Sequence, residues 1–139
     1  PQSILLNADG NLYGVAAQGG DTNQGTAFGF DLKGMQFNRL YSFCAQPDCT
    51  DGWNPSGLSA DPSGKLFGST FQGGQNGGGV IFSLNDGSEK VLYRFCSNED
   101  CPDGNGPTSG VTFDQAGNIY GATIGGGTND GGTVFALKH

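Results

Sequence analysis

A six-residue motif returns three times along the chain, as Asp9-Gly10-Asn11-Leu12-Tyr13-Gly14, Ser63-Gly64-Lys65-Leu66-Phe67-Gly68 and Ala116-Gly117-Asn118-Ile119-Tyr120-Gly121. Its closing glycines stand 54 and 53 residues apart. Five residues after each comes a Gly-Gly pair (Gly19-Gly20, Gly73-Gly74, Gly126-Gly127). Beyond it, in fixed register, follow a single glycine (Gly25, Gly79, Gly132) and a phenylalanine (Phe28, Phe82, Phe135). A second block, Leu40-Tyr41-Ser42-Phe43-Cys44, recurs as Leu92-Tyr93-Arg94-Phe95-Cys96. Matches in one register mean internal repetition, and repetition of this length means stacked units, because one unit cannot bury both its faces.

Each unit reads as four short strands. In the second, strands are expected around Gly57–Asp61, over Lys65–Phe71, over Val80–Leu84 and over Val91–Phe95. The turn Pro62-Ser63-Gly64, the glycine-rich loop Gln72–Gly78 and the hairpin signal Asn85-Asp86-Gly87 separate them. No apolar positions recur at helical spacing, and the 27 glycines would each cost a helix about 1 kcal/mol. The expected fold is therefore all-β, a β-propeller-like array of three modules of about 53 residues in a single repeat domain over residues 1–139. The modules run approximately over residues 1–56, 57–109 and 110–139, and the last lacks its fourth strand. Closed propellers have about 4–8 blades, so three modules leave three readings open: several chains assembled into one ring, a piece processed from a longer protein, or an open stack capped by partners, and the uncovered strand edge is an association site in each.

Composition excludes several classes. Only 14% of residues are charged, and 6 Lys+Arg against 13 Asp+Glu give a net charge of −7. That balance argues against nucleic acid and against adsorption to anionic lipid. No apolar run reaches the roughly 18–20 residues of a membrane-spanning helix, so no membrane insertion is expected.

The motifs Leu92-Tyr93-Arg94-Phe95-Cys96, Cys101-Pro102-Asp103-Gly104, Gly117-Asn118-Ile119-Tyr120-Gly121 and Gly132-Thr133-Val134-Phe135 resemble the Gloeo-Verruco (GloVer) tandem repeat of secreted and surface-anchored bacterial proteins. The resemblance covers essentially the whole chain and implies an extracellular, propeller-like repeat protein. The first module departs most, through Phe30-Asp31-Leu32-Lys33-Gly34-Met35, which lengthens its third hairpin.

Four cysteines form two C-x4-C pairs, Cys44/Cys49 and Cys96/Cys101. A complete pair at the same place in two modules favours two local disulfides, each worth roughly 2 kcal/mol on the loop-entropy model. The rival, a metal site built from both arms, has the wrong spacing, and Asp48 and Asp100 beside the cysteines oppose thiolates, so no metal ligands are assigned. Disulfides imply an oxidising compartment, hence a secreted or cell-surface protein. The chain starts at Pro1 rather than Met, as a mature or trimmed form would.

Chemistry-bearing groups are few. The one histidine, His139, is the last residue and is expected to be a solvent-exposed end. Asp61 and Asp114, matched by Asn7 in the first module, precede x-x-Gly and suit Asx turns. Asp51 and Asp103 follow the cysteine loops and are the remaining catalytic candidates, since a glycosidase needs two carboxyl groups about 5–10 Å apart. Their other reading is structural. The loops Gly19–Gly25, Gly73–Gly79 and Gly126–Gly132 lack the Lys-Ser/Thr ending of a phosphate loop, so close packing is their expected job. No cofactor is expected: the acidic loops offer carboxylates and carbonyls to calcium, but no dense D-x-D-x-D ladder appears. Trp53 sits in a polar loop beside Asp51 and Asn54, with Asn105 at its place in the second repeat, a lectin-like composition. The strand aromatics (Tyr13, Phe67, Tyr120, Phe28, Phe82, Phe135, Tyr41, Tyr93) are expected in the core.

The expected function is a non-enzymatic binding or structural module that holds a glycan or cell-surface ligand through Trp53, Asp51, Asn54, Asp103 and Asn105. The alternatives are a protein that assembles through its open strand edge and a glycan-active hydrolase using the loop carboxylates.

Overall fold

The computed structural model describes residues 2–138; Pro1 and His139, on which the mature-start and lone-histidine readings fell, lie outside the described residues. The first module is the antiparallel meander β1 (Ser3–Leu6), β2 (Leu12–Ala16), β3 (Thr26–Asp31) and β4 (Gln36–Ser42). The second is β5 (Trp53–Ala60), β6 (Leu66–Gln72), β7 (Val80–Asn85) and β8 (Ser88–Arg94) in the same order. The third contains β9 (Asn105–Pro107), β10 (Thr112–Phe113), β11 (Ile119–Gly125) and β12 (Thr133–Leu137). Both β9 and β10 pair with β11, so they are two pieces of one inner strand. Among the described residues no strand covers the outer edge of β12, which is the missing fourth strand of the sequence reading. The three sheets do not close into a ring, and the architecture is all-β and propeller-like.

Two strands of the second module begin earlier than expected. Trp53 and Pro55 extend β5 beyond a register shift, pairing with Gln72 and Thr70. A proline has no N–H for a regular ladder, so its tolerated place is at such an irregularity, where the sequence pattern hides the strand. β8 begins at Ser88 because Asp86 (φ 47°) and Gly87 (φ 80°) make a two-residue turn with Asn85 opposite Ser88. Positive φ at both turn residues matches the strand twist and needs no longer loop.

Burial follows position in the stack. The middle sheet is covered on both faces, so Leu66–Thr70 and Val80–Leu84 are buried residue after residue. β12 is covered on one face and alternates, with Val134 and Ala136 exposed. The core lies between the sheets. One cluster joins Val15, Ala27 and Phe43 of the first module to Leu58, Val80 and Phe82 of the second. The other joins Phe67, Ile81 and Phe95 of the second to Val111 and Ile119 of the third. An aromatic run repeats with them. Tyr41 packs on Phe43 and Phe43 on Phe82, with ring centroids 5.2 and 5.0 Å apart. Tyr93, Phe95 and Phe135 repeat the run at 5.0 and 5.0 Å. Burying one such ring is worth about 1.5–3 kcal/mol.

The repeated motif glycine seats the ring on its own sheet. A Cβ on Gly14 would lie 2.7 Å from Phe28 Cζ, and on Gly68 2.5 Å from Phe82 Cζ. Only a residue without Cβ admits the phenylalanine there.

Candidate functional site at the loop end

Because each sheet is a meander, the tight turns fall at one end. The glycine-rich loops and the connections to the next module fall at the other. At the turn end, Asp61 Oδ1 accepts the N–H groups of Ser63 (2.9 Å) and Lys65 (3.0 Å). Asp114 Oδ1 does the same for Ala116 and Asn118, both at 2.9 Å. Asn7 accepts from the Ala8 N–H and donates across the module joint to the Gly64 carbonyl at 3.0 Å. The Asp61 and Asp114 contacts are Asx turns that end strands. The Asp114 carboxyl is held down at about 2 by the Asn118 side chain, the Tyr120 hydroxyl and backbone N–H groups.

The loop end gathers the candidate ligand residues. Disulfides Cys44–Cys49 and Cys96–Cys101 close two small loops. Each is stapled by the aspartate that follows it. Asp51 accepts from the Tyr41 hydroxyl (2.8 Å) and from the N–H groups of Ala45 (2.8 Å) and Gln46 (3.2 Å), and only 2% of it is exposed. Asp103 accepts from the Tyr93 hydroxyl (2.8 Å) and the Ser97 N–H (3.2 Å), and is half-buried. Burial works to raise the Asp103 carboxyl, but the Tyr93 and Ser97 hydrogen bonds outweigh it and hold the group below the usual carboxylate range. Burial, then the Asp51 carboxylate, raises the Tyr41 phenol well above its ordinary value.

The glycine loops are closed by their own backbone: Gly25, Gly79 and Gly132 donate to Gly19, Gly73 and Gly126 at 3.1, 2.9 and 3.0 Å. They also grip the cysteine loops of the preceding module, Gly74 donating to Cys49 and Gly127 to Cys101 at 2.9 and 3.0 Å. Gly79 seats a buried proline of the next module, since a Cβ there would lie 2.9 Å from Pro107 Cδ.

Two neighbouring grooves open here. One, of about 240 Å³, is lined by Phe71, Gln72, Asn76, Cys96, Cys101 and Asn105, among others. The second, of about 450 Å³, runs from Asp100 and Asn105 to Thr128, Asn129 and Asp130. Asn105 belongs to both. Trp53 and Asn54, at the equivalent place one module earlier, line neither; Asn54 donates its N–H to the Gln24 carbonyl of the first module at 2.8 Å. The structure thus brings Asn105 to a groove and leaves Trp53, half-buried opposite Gln72, in a different joint.

A third cleft, of about 560 Å³, lies beside the outer strands β4 and β8, lined by Tyr41, Gln46, Thr50, Asp51, Glu89 and Arg94, among others. Glu89 Oε1 is buried with no hydrogen-bond partner among the described residues. Burial and the Asp51 charge push the Glu89 carboxyl up to about 8, against the opposing pull of Arg94. Among the described residues no three His, Cys, Asp or Glu side chains gather in a metal-binding group.

Sequence reasoning passed over Phe71 as a strand end and Gln72, Asn76 and Asn129 as parts of glycine loops. The available signal was an amide at one register position, Asn76 and Asn129, in two successive loops. It also missed Glu89 and Arg94, whose approach to the cysteine loop depends on how two sheets stack.

Stacked four-stranded meanders joined by the cysteine-loop connections define a propeller-like repeat protein. The chain belongs to the Gloeobacter/Verrucomicrobia repeat family, whose model matches residues 1–139. Among solved structures it is similar to a protein assigned as a gluconolactonase, at 19% identity and a TM-score of 0.50, over 96% of this chain and 45% of that one. It is also similar to the extracellular domain of a one-component system of B. thetaiotaomicron, at 15% identity and a TM-score of 0.46, over 96% of this chain and 21% of that one. The chain thus spans less than half the length of either. No curated protein sequence matches it.

Proposed function

We propose that the chain is an extracellular, non-enzymatic binding module whose ligand is a glycan held in the paired grooves around Asn105. The observation that carries this reading is the lining of those grooves. Amides of Gln72, Asn76 and Asn105 line one groove with the Phe71 ring, and Asn105 and Asn129 line the other with the carboxylates of Asp100 and Asp130. A sugar hydroxyl both donates and accepts, and an amide side chain offers both functions in one plane. The aromatic ring supplies the apolar face that pockets for small organic ligands usually contain. The extracellular setting is supported by the two disulfides, which persist in oxidising compartments. Among the described residues no helix is long and apolar enough to cross a membrane.

The hydrolase reading is supported less well. The Asp51 carboxylate is covered and engaged with three donors, an arrangement that suits a staple better than a nucleophile. Trp53 and Asn54 serve in this reading as a second, weaker contact region one module earlier, and Asp103 as the support of the loop that ends at Asn105.

The test is binding to a panel of soluble and insoluble polysaccharides, with calcium and with chelator. The expected result is saturable, sugar-competable binding that Asn105→Ala weakens about tenfold, the loss of one or two hydrogen bonds. Loss in chelator would assign a calcium ion to the acidic loops. No binding by folded, disulfide-intact protein overturns the glycan reading.

A further inference from the structure

Two Asn-Gly steps occur in the chain, Asn76-Gly77 and Asn105-Gly106, and both asparagines line the smaller loop-end groove. The fold treats them differently. Asn105 opens β9 opposite Gly125, and the N–H of the buried Gly106 donates to the Gly78 carbonyl at 2.9 Å. Asn76 and Gly77 stand exposed in the second glycine loop, where a Cβ on Gly77 would meet nothing within 4 Å. The other two glycine loops carry a lock at the place of Gly77. Asn23 and Asp130 donate their N–H groups to the Gly20 and Gly127 carbonyls at 3.4 and 3.2 Å. Their side-chain oxygens accept from the Gly19 and Gly126 N–H groups at 2.9 and 2.7 Å. Gly77 has no side chain for the second bond, and among the described residues its N–H makes no hydrogen bond of good geometry. The Asn76 side chain reaches to the disulfide loop instead, its Nδ2 donating to the Cys96 carbonyl at 2.7 Å.

We propose that Asn76-Gly77 is a site of spontaneous deamidation, with water as the co-reactant. The Gly77 backbone nitrogen attacks Asn76 Cγ, the Cγ–Nδ2 bond breaks, and ammonia leaves carrying the Gly77 amide proton. The product is a cyclic succinimide. Water then adds to one of its two carbonyl carbons and reopens the ring, as aspartate or as isoaspartate with the main chain rerouted through Cγ. Glycine favours the attack because no Cβ crowds the nucleophile. At Asn105 the corresponding nitrogen is tied to Gly78 and reacts only after that bond and the strand open locally. The consequence falls on the groove. A carboxylate replaces the amide that donates to the Cys96 carbonyl, so the tie from glycine loop to disulfide loop is lost and one negative charge is added. The modification is independent of the glycan reading; only its effect on a bound sugar rests on that reading.

Ageing the folded, disulfide-intact chain at mildly alkaline pH, with peptide mapping by mass spectrometry at intervals, tests it. Asn76 is expected to convert to a mixture of aspartate and isoaspartate at least about tenfold faster than Asn105, the factor that a retained hydrogen bond and strand pairing supply. In urea with the disulfides reduced, the two Asn-Gly steps are expected to convert at similar rates, which makes their difference a property of the fold. Gly77→Asp copies Asp130 of the third loop, and is expected to slow Asn76 at least about tenfold by crowding the nitrogen and restoring the lock. Equal conversion of Asn76 and Asn105 in the folded chain overturns the proposal. So does an Asn76 that stays intact over the time in which the unfolded chain converts, or a Gly77→Asp chain that converts as fast as the wild type.

Discussion

The two cysteine loops are near-copies in sequence and unequal in environment. Each follows a Leu-Tyr-x-Phe-Cys strand end, closes a disulfide of the same span and is pinned by an aspartate that accepts from a tyrosine hydroxyl. Yet Asp51 is 2% exposed and Asp103 is half-buried. The difference lies outside the loops. β8 of the second module runs beside the first loop, bringing Glu89 and Arg94 to it, and Arg94 Nε donates to the Thr50 carbonyl at 3.3 Å. Among the described residues the third module has no such strand, so the second loop opens onto a patch with Tyr93, Asp103 and the residues of β12. A local motif fixes its own hydrogen bonds; the neighbouring sheet sets its dielectric surroundings.

The largest expected break in the symmetry is the loss of each aspartate. Asp51→Ala strands a half-buried phenol and two backbone N–H groups beside a buried carboxylate site and is expected to cost about 3 kcal/mol, whereas water can reach the partners of Asp103 and Asp103→Ala should cost about 1 kcal/mol. Urea midpoints of the two variants check this, and equal losses would mean that the covering strand contributes nothing.

A smaller effect separates the loops by pH. Glu89 is raised in the fold to about 8, so its contribution is fully present below the unfolded carboxylate range and is lost as pH rises through about 8. Asp103 is lowered, so its contribution is present above the unfolded range and is lost as pH falls through the depressed folded value. Stability of the wild type should therefore decline toward pH 8 in a way that Glu89→Gln flattens. Asp103→Asn should instead remove part of the acid-side loss. Denaturant midpoints between pH 3 and pH 9 read both, and a Glu89→Gln profile parallel to wild type would place that carboxyl in water.

The smallest expected effect is that of Arg94→Ala. It removes one exposed hydrogen bond to the first loop and part of the positive charge that opposes the rise of Glu89. A loss of about 0.5 kcal/mol is expected, with the Glu89 titration moving further up, read by carboxyl chemical shifts.

Much of this architecture was legible in the residues themselves. The Gly14, Gly68 and Gly121 register marked the seats of Phe28, Phe82 and Phe135 on their own sheets, and Asp61 and Asp114 before x-x-Gly marked their turns. The cysteine pairing was readable because each partner lay within one loop. What stayed hidden required contact between modules. Trp53 and Asn105 hold one register position, and nothing in their flanking residues distinguishes a partly covered strand start from a wall shared by two grooves. Glu89 reads as an ordinary polar residue of an exposed hairpin, and only the stacking of β8 against the first cysteine loop buries its Oε1.

The sequence by itself determined the repeat, the strand-and-turn order, the disulfides and the ring seats, because each depends on residues a few positions apart or paired within one sheet. The tertiary structure alone decided which copy of a repeated residue is covered, which carboxyl is pushed up and where grooves open. Those properties depend on what the adjacent sheet places over a side chain, and identical motifs carry no record of their neighbours.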